Sequence, residues 1–371
     1  MRRIFVNEPR LDGNEKEYLD ECIDSGWISF EGPFVKRFED GMATLTNRKF
    51  AVAVSNGTAA LETAVIALGI GKGDEVILPT FTIISCAAPI LRTGARPVLV
   101  DADPITWNMD VSAIEAKITP KTKAIMAVHI YGLPVDMDPV LSLATKYGLY
   151  VIEDAAEMIG QTYRGKPCGS FGDISVFSFY PNKHITTGEG GMVLTDDETL
   201  AERSKSARNL FFGPKRYLHE ELGYNFRMTN LQAAVGCAQM ERLEETIQRK
   251  RHIGKLYDEL LRDVEGIQRP LDRTDYAENI YWVYGIVLND DVPMDAADMM
   301  RRLGEEGIGT RGFFWGMHEQ PVFQKMGLFD GERYPVAERL TRRGLYIPSG
   351  LTLDDEQQEY VAEKIKRCFV K

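Results

Sequence analysis

Short apolar runs separated by helical segments recur through the first half of the chain. The apolar runs occupy residues 51–55, 75–79, 96–100, 124–129, 149–153 and 174–180. Helical patterns lie between them, among them residues 59–68 and 138–147. Strands that alternate with helices in this way predict βαβ units and a mostly parallel sheet flanked by helices.

The second half of the chain has a different pattern. Residues 229–261 form one long helical region with an apolar stripe along it. A strand pattern at 281–288 and an amphipathic helix pattern at 356–368 follow. We therefore predict an α/β protein with two domains. Residues 1–262 would form an N-terminal segment and a large domain, and residues 263–371 a smaller C-terminal α/β domain.

Composition narrows the class of protein. The chain has 371 residues, 44% hydrophobic and 27% charged, which is typical of a globular protein with a sizeable core. A formal net charge of −11 argues against a nucleic-acid binder. No apolar stretch approaches the ~20 residues needed to span a membrane. Five scattered cysteines without a CxxC pair favour reduced thiols over a zinc site, so we expect a cytoplasmic protein without a metal.

Lys183 is the first candidate for chemistry. It follows the apolar run 174–180 after a break at Pro181 and Asn182, and a glycine-rich segment follows it. A lysine buried on such a turn has a lowered pKa and can form a Schiff base with an aldehyde. The alternative, an exposed loop lysine beside a glycine turn, is equally compatible with this segment alone.

Other polar or aromatic residues also follow strand ends, where sites gather in parallel sheets. Asp154 follows a buried run and precedes two alanines, so it could keep a pyridine nitrogen protonated or simply cap a turn. The turn at residues 55–58 opens a helix and offers free N–H groups for a phosphate, although an ordinary helix cap is commoner. Phe81 follows the strand at 75–79. Trp27, next to a glycine, is either a core anchor or a wall of a site.

Several sequence blocks together resemble one family. They are residues 25–27 with 32–33, 55–61, 153–157, 178–183 continuing to 187–192, and 223–228. In order and spacing they are similar to the sugar aminotransferases that act on nucleotide-linked keto-sugars, a branch of the fold-type-I enzymes that use pyridoxal 5′-phosphate (PLP). The resemblance covers almost the whole chain and implies an aspartate-aminotransferase-like fold.

The resemblance also implies how the cofactor is held. Lys183 would bind the PLP aldehyde and later carry a proton between cofactor and sugar, and Asp154 would pair with the ring nitrogen. Phe81 would stack on one face of the ring, and Ala156 would pack on the other. Many relatives carry glutamine where this chain has Glu157, which is expected near the phenolic oxygen of PLP. Glutamate there could repel a phenolate, or could be protonated and donate a hydrogen bond.

The remaining roles concern the phosphate and the substrate. The backbone of Gly57 and Thr58 and the hydroxyl of Ser178 would hold the phosphate. Asn225 would reach that phosphate from the partner subunit, so the resemblance implies a homodimer with shared active sites. The candidates for substrate binding are Trp27, His184, Arg227 and His318. Lys215 and Arg216 could also meet a diphosphate, and His318 could equally belong to the core of the small domain.

The function implied is transamination in two halves, with L-glutamate as amino donor and a nucleotide-linked 4-keto-6-deoxy sugar as acceptor. The opening residues 8–29 are most similar to the branch that aminates GDP-4-keto-6-deoxy-D-mannose. Alternatives are a UDP- or dTDP-linked keto-sugar, another PLP reaction such as that of a lyase or racemase, and a non-catalytic regulator with this fold.

Overall fold

The computed structural model describes residues 3–212, 215, 217–219 and 221–369. The strands are β1 Phe50–Val54, β2 Glu75–Pro79, β3 Arg96–Val100, β4 Thr122–Val128, β5 Tyr150–Asp154, β6 Thr162–Tyr163, β7 Lys166–Pro167, β8 Ile174–Ser178, β9 Gly191–Thr195, β10 Ile267–Gln268, β11 Tyr284–Leu288, β12 Arg311–Gly312 and β13 Gly344–Ile347. The helices are α1 Glu15–Ser25, α2 Pro33–Thr46, α3 Gly57–Ala67, α4 Ala88–Arg92, α5 Met137–Tyr147, α6 Glu198–Arg208, α7 Asn230–Met240, α8 Leu243–Leu260, α9 Ala296–Glu305, α10 Pro321–Lys325, α11 Pro335–Arg343 and α12 Asp355–Arg367.

Seven strands form the central sheet in the order β1-β9-β8-β5-β4-β2-β3. The neighbours from β8 through to β3 run parallel, whereas β9 runs antiparallel to both β8 and β1. Helices cover both faces, which explains why the strands are apolar throughout instead of alternating with polar residues. The predicted α/β fold with a mostly parallel sheet is confirmed.

Alternate residues of each strand enter different cores. On β2, Val76 and Leu78 pack in one apolar cluster, whereas Ile77 between them packs in a second cluster on the opposite face. This follows from the two-residue repeat of a strand, which sends neighbouring side chains to opposite sides of the sheet. The sheet is therefore packed on both faces, and this packing fixes the strand ends from which the loops at its carboxyl edge begin.

A second sheet, in the order β10-β11-β13-β12, is entirely antiparallel and lies within the predicted C-terminal domain. Its apolar cluster also includes Ile4 and, from α8 and the residue after it, Ile253, Tyr257 and Leu261. Residues from outside 263–371 thus complete the core of this small sheet. The domain boundary at residue 262 stays a prediction.

No helix in the described part of the chain combines the length and the apolar content needed to cross a bilayer.

Candidate active site

A cavity of about 710 Å³ opens where the carboxyl ends of β5 and β8 meet the first turn of α3. Seven residues that the sequence singles out border it: Gly57, Thr58, Asp154, Ala156, Glu157, Ser178 and Lys183. They come together because parallel strands present their carboxyl ends at one edge of a sheet. This edge is therefore the candidate active site.

Lys183 sits on the turn between β8 and β9, where its backbone N–H donates to the carbonyl of Tyr180 at 2.9 Å. Its Nζ lies 3.7 Å from Oε1 of Glu157 and 3.8 Å from the centroid of the Trp282 ring. Burial lowers the pKa of the Lys183 amine, and the nearby Glu157 carboxylate opposes that shift. The amine is thus held in a defined position, with a pKa lowered toward the range in which it acts as a nucleophile or base.

Glu157 is itself buried beside this lysine. Its Oε2 accepts a hydrogen bond from the backbone N–H of Tyr131 at 2.7 Å. Burial raises the pKa of Glu157 to about 7, although Lys183 acts in the opposite direction. Near neutral pH, this carboxyl group can exchange a proton with its surroundings.

Asp154 is the last residue of β5, and only 4% of it is exposed. Its Oδ1 accepts from the N–H of Ala156 at 3.1 Å, and its Oδ2 accepts from the Cys86 thiol at 3.3 Å. Burial raises the pKa of Asp154. Among the described residues, no nitrogen of lysine, arginine or histidine lies within 4.0 Å of this carboxylate. A buried carboxylate in this position suits a cationic partner from a ligand.

The first turn of α3 forms the opposite end of the cavity. The side chain of Asn56 caps the helix by accepting from the N–H of Ala59 at 2.8 Å. The Thr58 hydroxyl lies 2.8 Å from the Ser85 hydroxyl. A Cβ atom on Gly57 would come within 2.8 Å of the Ser178 Cβ, so the backbone and this serine approach closely. Unpaired first-turn N–H groups and nearby hydroxyls form a site for a phosphate.

These groups fit PLP. The cofactor carries an aldehyde, a pyridine nitrogen and a phosphate, and the cavity offers a buried amine, a buried carboxylate and a helix N-terminus. The structure thus brings Lys183, Asp154 and Gly57 together around one space, although they are far apart in the sequence.

A buried histidine on the cavity wall was not predicted. His129 lies with its Nε2 3.0 Å from Oε1 of Glu153, and its Nδ1 accepts from the N–H of Val135 at 2.9 Å. Because Nδ1 accepts, Nε2 carries the proton and donates to Glu153. Glu153 also accepts from the N–H groups of Gly169 and Phe171. This network fixes the end of β5. The one feature of the sequence that could have indicated His129 is its position at the end of an apolar run.

Phe81 does not border the cavity, contrary to the sequence prediction. It is fully buried, with its ring 6.0 Å from Tyr131 and 5.9 Å from Phe313 between centroids. Ile83 borders the cavity instead and is 47% exposed. After β2 ends, the chain turns Phe81 into the core and Ile83 toward the cavity.

The two histidines proposed to bind substrate are core residues. His184 is buried, and its Nδ1 lies 3.0 Å from the carbonyl oxygen of Ile159, to which it donates. Burial lowers the pKa of His184 to about 3, so it stays neutral. His318 is also buried, with Nδ1 2.8 Å from the hydroxyl of Thr80 and Nε2 3.3 Å from Glu338. Neither histidine borders the cavity that contains Lys183. Their side chains serve packing and hydrogen bonding between segments.

Three further predicted residues lie outside the cavity of their own chain. Trp27 is half exposed on the loop between α1 and α2. The guanidinium of Arg227 lies 5.1 Å from the ring centroid of Phe30. Asn225 is exposed and forms a backbone bridge with Asn209. Arg216 falls outside the described residues, and Lys215 does not border this cavity.

The small sheet and its connections contribute several residues to the cavity that no sequence pattern indicated. They are Trp282, Arg311, Phe314 and Tyr346. Trp282 donates its Nε1–H to the carbonyl of Asn182 at 2.8 Å and so braces the turn that carries Lys183. The sequence around these residues does not distinguish them from aromatic residues of the core or from cationic residues of the surface.

Comparisons with known proteins agree with this geometry. The profile of the DegT/DnrJ/EryC1/StrS aminotransferase family matches residues 9–366. The chain is 43% identical to a GDP-perosamine synthase from Escherichia coli O157:H7 over 370 residues, covering 100% of this chain and 99% of that protein. It is 44% identical to a GDP-perosamine synthase from Caulobacter vibrioides, covering 99% of each.

A comparison with a solved structure also indicates an aminotransferase. The aminotransferase TlmJ from Streptoalloteichus hindustanus superposes with a TM-score of 0.90 at 30% identity, covering 98% of each chain. The superposition therefore covers nearly the whole chain. The chain therefore belongs to the DegT/DnrJ/EryC1/StrS aminotransferase family and is a PLP-dependent sugar aminotransferase.

Proposed function

We propose that the chain transfers the amino group of L-glutamate to C4 of GDP-4-keto-6-deoxy-D-mannose. The products are GDP-perosamine and 2-oxoglutarate, so one amino group and one keto oxygen exchange places. The observation that carries this proposal is the full-length identity of 40–44% to three proteins named GDP-perosamine synthase. The cavity supports it, because the groups required for PLP chemistry are assembled there.

When bound, PLP supplies an aldehyde that takes up the amino group and a ring that accepts the electron pair left by a departing proton. Lys183 would hold the cofactor at its Nζ, and the same amine would then move a proton to and from the substrate carbon. Its lowered pKa makes the amine available as a base. Glu157, 3.7 Å away, accepts or returns a proton as the charge on Lys183 changes.

Asp154 would accept a hydrogen bond from the protonated ring nitrogen of the cofactor. A charge-assisted hydrogen bond of this kind is about twice as strong as a neutral one. The first turn of α3, with Gly57 and Thr58, binds the phosphate together with the hydroxyl of Ser178. Ile83 and Ala156 border the space between these anchors. They would pack against the ring of the cofactor.

The enzyme acts as a homodimer with shared active sites. The support is a set of exposed apolar side chains on the segments that would meet a second copy: Trp27, Ile28, Leu222 and Tyr224. Leu222 is 96% exposed, a state that association would relieve. Asn225 lies in the same segment and does not border the cavity of its own chain. In the proposed dimer it would reach the phosphate site of the partner subunit. The substrate nucleotide lies in the same region, near Arg227 and Trp27.

We also place the enzyme in the cytoplasm. All five cysteines are free thiols, and four of them are buried, which suits a reducing compartment.

A substrate panel tests the proposal. The purified holoenzyme receives L-glutamate together with GDP-, UDP- or dTDP-linked 4-keto-6-deoxy sugars, and the amino sugar and 2-oxoglutarate are quantified by mass spectrometry. We expect product with the GDP-linked sugar at a kcat/KM at least about tenfold above the others, equivalent to ~1.4 kcal/mol. Preference for another nucleotide would overturn the substrate assignment, and absence of any amino transfer would overturn the function.

A further inference from the structure

Trp282 makes two contacts with the turn that carries Lys183. It is buried and lies two residues before β11 of the small sheet. The Nζ of Lys183 lies over the Trp282 ring, 3.8 Å from its centroid. The Nε1–H of Trp282 donates to the carbonyl of Asn182, the residue before the lysine, at 2.8 Å. One side chain thus contacts the tip of the lysine and fixes the backbone at its base.

Neighbouring aromatic rings hold Trp282 in this orientation. Its ring stacks on that of Tyr131 at 5.9 Å between centroids and 24° between planes, and it lies 6.4 Å from the ring of Tyr346. The negative face of an aromatic ring attracts a cation, and tryptophan does so more strongly than tyrosine or phenylalanine. The attraction increases where both partners are removed from water. The buried face of Trp282 is therefore a favourable position for the ammonium group of Lys183.

The other groups that act on this amine are titratable. Burial lowers the pKa of the amine, and Glu157, Asp154 and Cys86 act in the opposite direction. Burial also raises the pKa of Glu157 to about 7, so its attraction weakens as it takes up a proton near neutral pH. His184, the next residue along the turn, stays neutral because burial lowers its pKa to about 3. The ring of Trp282 does not titrate, so its attraction persists wherever the amine is protonated.

We propose that Trp282 is a positioning residue that keeps the free, protonated amine of Lys183 beside the reacting atoms, an inference that rests on the proposed role of Lys183. Amino transfer requires that Nζ holds the cofactor at one stage and is free at another. A free lysine side chain has several rotatable bonds and can turn away from the site. The Trp282 ring restricts it, because the ammonium group is attracted to the ring face, close to Glu157. The amine then lies where the next proton transfer and its return to the cofactor require it.

Fluorinated tryptophans at position 282 test the inference. Ring fluorine withdraws electron density from the ring face and so weakens its attraction for a cation, while the shape of the side chain is nearly unchanged. The rate at which the full-length apoenzyme captures PLP, measured against pH, reports the pKa of the Lys183 amine. We expect the midpoint to fall with each added fluorine, by about half a unit or more over the series. The same analogues at Trp315, an exposed residue whose ring centroid lies 5.7 Å from the guanidinium of Arg342, should leave the midpoint unchanged.

Two substitutions separate the ring from its N–H group. Trp282→Phe keeps an aromatic face but loses the hydrogen bond to Asn182, and Trp282→Leu loses both. The readout is the rate at which bound PLP loses its visible absorbance after addition of L-glutamate alone. We expect Trp282→Leu to lower the maximal rate by about tenfold or more, because a displaced base loses part of its ~10²–10⁴-fold contribution. The KM for glutamate should change little, and Trp282→Phe should recover part of the rate.

The outcomes separate the possible errors. Borohydride reduction of the loaded enzyme, followed by peptide mass spectrometry, identifies the lysine that carries PLP. PLP on another lysine would refute the proposed role of Lys183. PLP on Lys183, with one midpoint throughout the fluorine series, would overturn only this inference. A shift of equal size with the analogues at Trp315 would also overturn it, because fluorination itself would then be the cause. A Trp282→Leu variant with the maximal rate of the wild type would contradict the positioning role.

Discussion

The Nζ of Lys183 lies 3.7 Å from Oε1 of Glu157, inside a cavity where burial raises the pKa of the glutamate to about 7 and lowers that of the lysine. Burial disfavours the charged form of each residue, and each residue stabilises the charged form of the other. The two groups therefore titrate as a coupled pair, and the charge of one depends on the other. A glutamine at position 157 would leave the lysine without this partner.

Glu157→Gln should displace the pH dependence of PLP capture by the apoenzyme toward lower pH. Glu157 raises the pKa of Lys183, so its removal lowers that pKa and leaves the amine neutral in more acidic solution. An opposite charge at this distance shifts a pKa by about one unit or more. The rate of PLP capture measured between about pH 6 and pH 9 gives the midpoint. Glu244→Gln, an exposed change on α8, serves as the control. Identical midpoints for Glu157→Gln and wild type would contradict the coupling.

Lys183→Ala should fold normally and stop turning over. The amine contacts Glu157 and the Trp282 ring at the cavity wall, so its removal leaves the backbone of the turn in place. The proposed proton transfers, in contrast, require this amine. General acid–base catalysis contributes about 10²–10⁴-fold, so the rate of product formation should fall by at least that factor. Lys255→Ala removes an exposed lysine that pairs with Glu278 and controls for charge loss. Multiple turnover by Lys183→Ala at a rate near that of wild type would exclude the assigned role.

Asp154→Asn should retain PLP but lose most of its activity. The phosphate and ring contacts survive in this variant, while the negative partner of the ring nitrogen is lost. We expect kcat to fall by more than about tenfold, because the charge-assisted hydrogen bond becomes a neutral one. Cofactor content and kcat are measured on the same preparation. A variant with full PLP content and unchanged kcat would show that Asp154 does not serve the ring nitrogen.

Gly57→Ala should weaken PLP binding. The new Cβ would lie 2.8 Å from the Cβ of Ser178 and 3.0 Å from its hydroxyl oxygen, so the helix and β8 must move apart. Overpacking of this kind costs about 1–3 kcal/mol, which corresponds to a roughly 5–150-fold loss of affinity. Titration of the apoenzyme with PLP measures this loss of affinity. Gly304→Ala in α9 meets no atom within 4 Å and should bind PLP like wild type. Equal affinities for both variants would argue against the close approach.

Mixed dimers test the shared site. Asn225→Ala should weaken PLP binding, and Lys183→Ala should abolish turnover. If Asn225 serves the partner, a dimer with one chain of each kind contains one site with both defects and one intact site. Mixing the two impaired variants should then restore about half of the wild-type sites in each mixed dimer. With subunit exchange proven by mass spectrometry, failure to regain activity would mean that Asn225 acts within its own chain.

The amino-acid sequence by itself determined the parallel sheet and the core of the site. Uniform apolar runs separated by helices permit few arrangements other than a buried parallel sheet. Once the sheet is parallel, residues that follow its strands must meet at one edge. Asp154 and Lys183 are therefore assigned to one cavity by their positions after strands, together with the helix start at Gly57.

Only the tertiary structure decided which neighbouring side chains reach that cavity. Phe81 and Ile83 differ by two positions, and the path of the loop after β2 turns one into the core and the other outward. His184 adjoins Lys183 in sequence but donates to the carbonyl of Ile159 and does not border the cavity, and burial keeps it neutral. Arg311 arrives from a separate sheet. Local periodicity determines whether a residue is buried in its own element, whereas contacts between distant elements depend on how the elements pack.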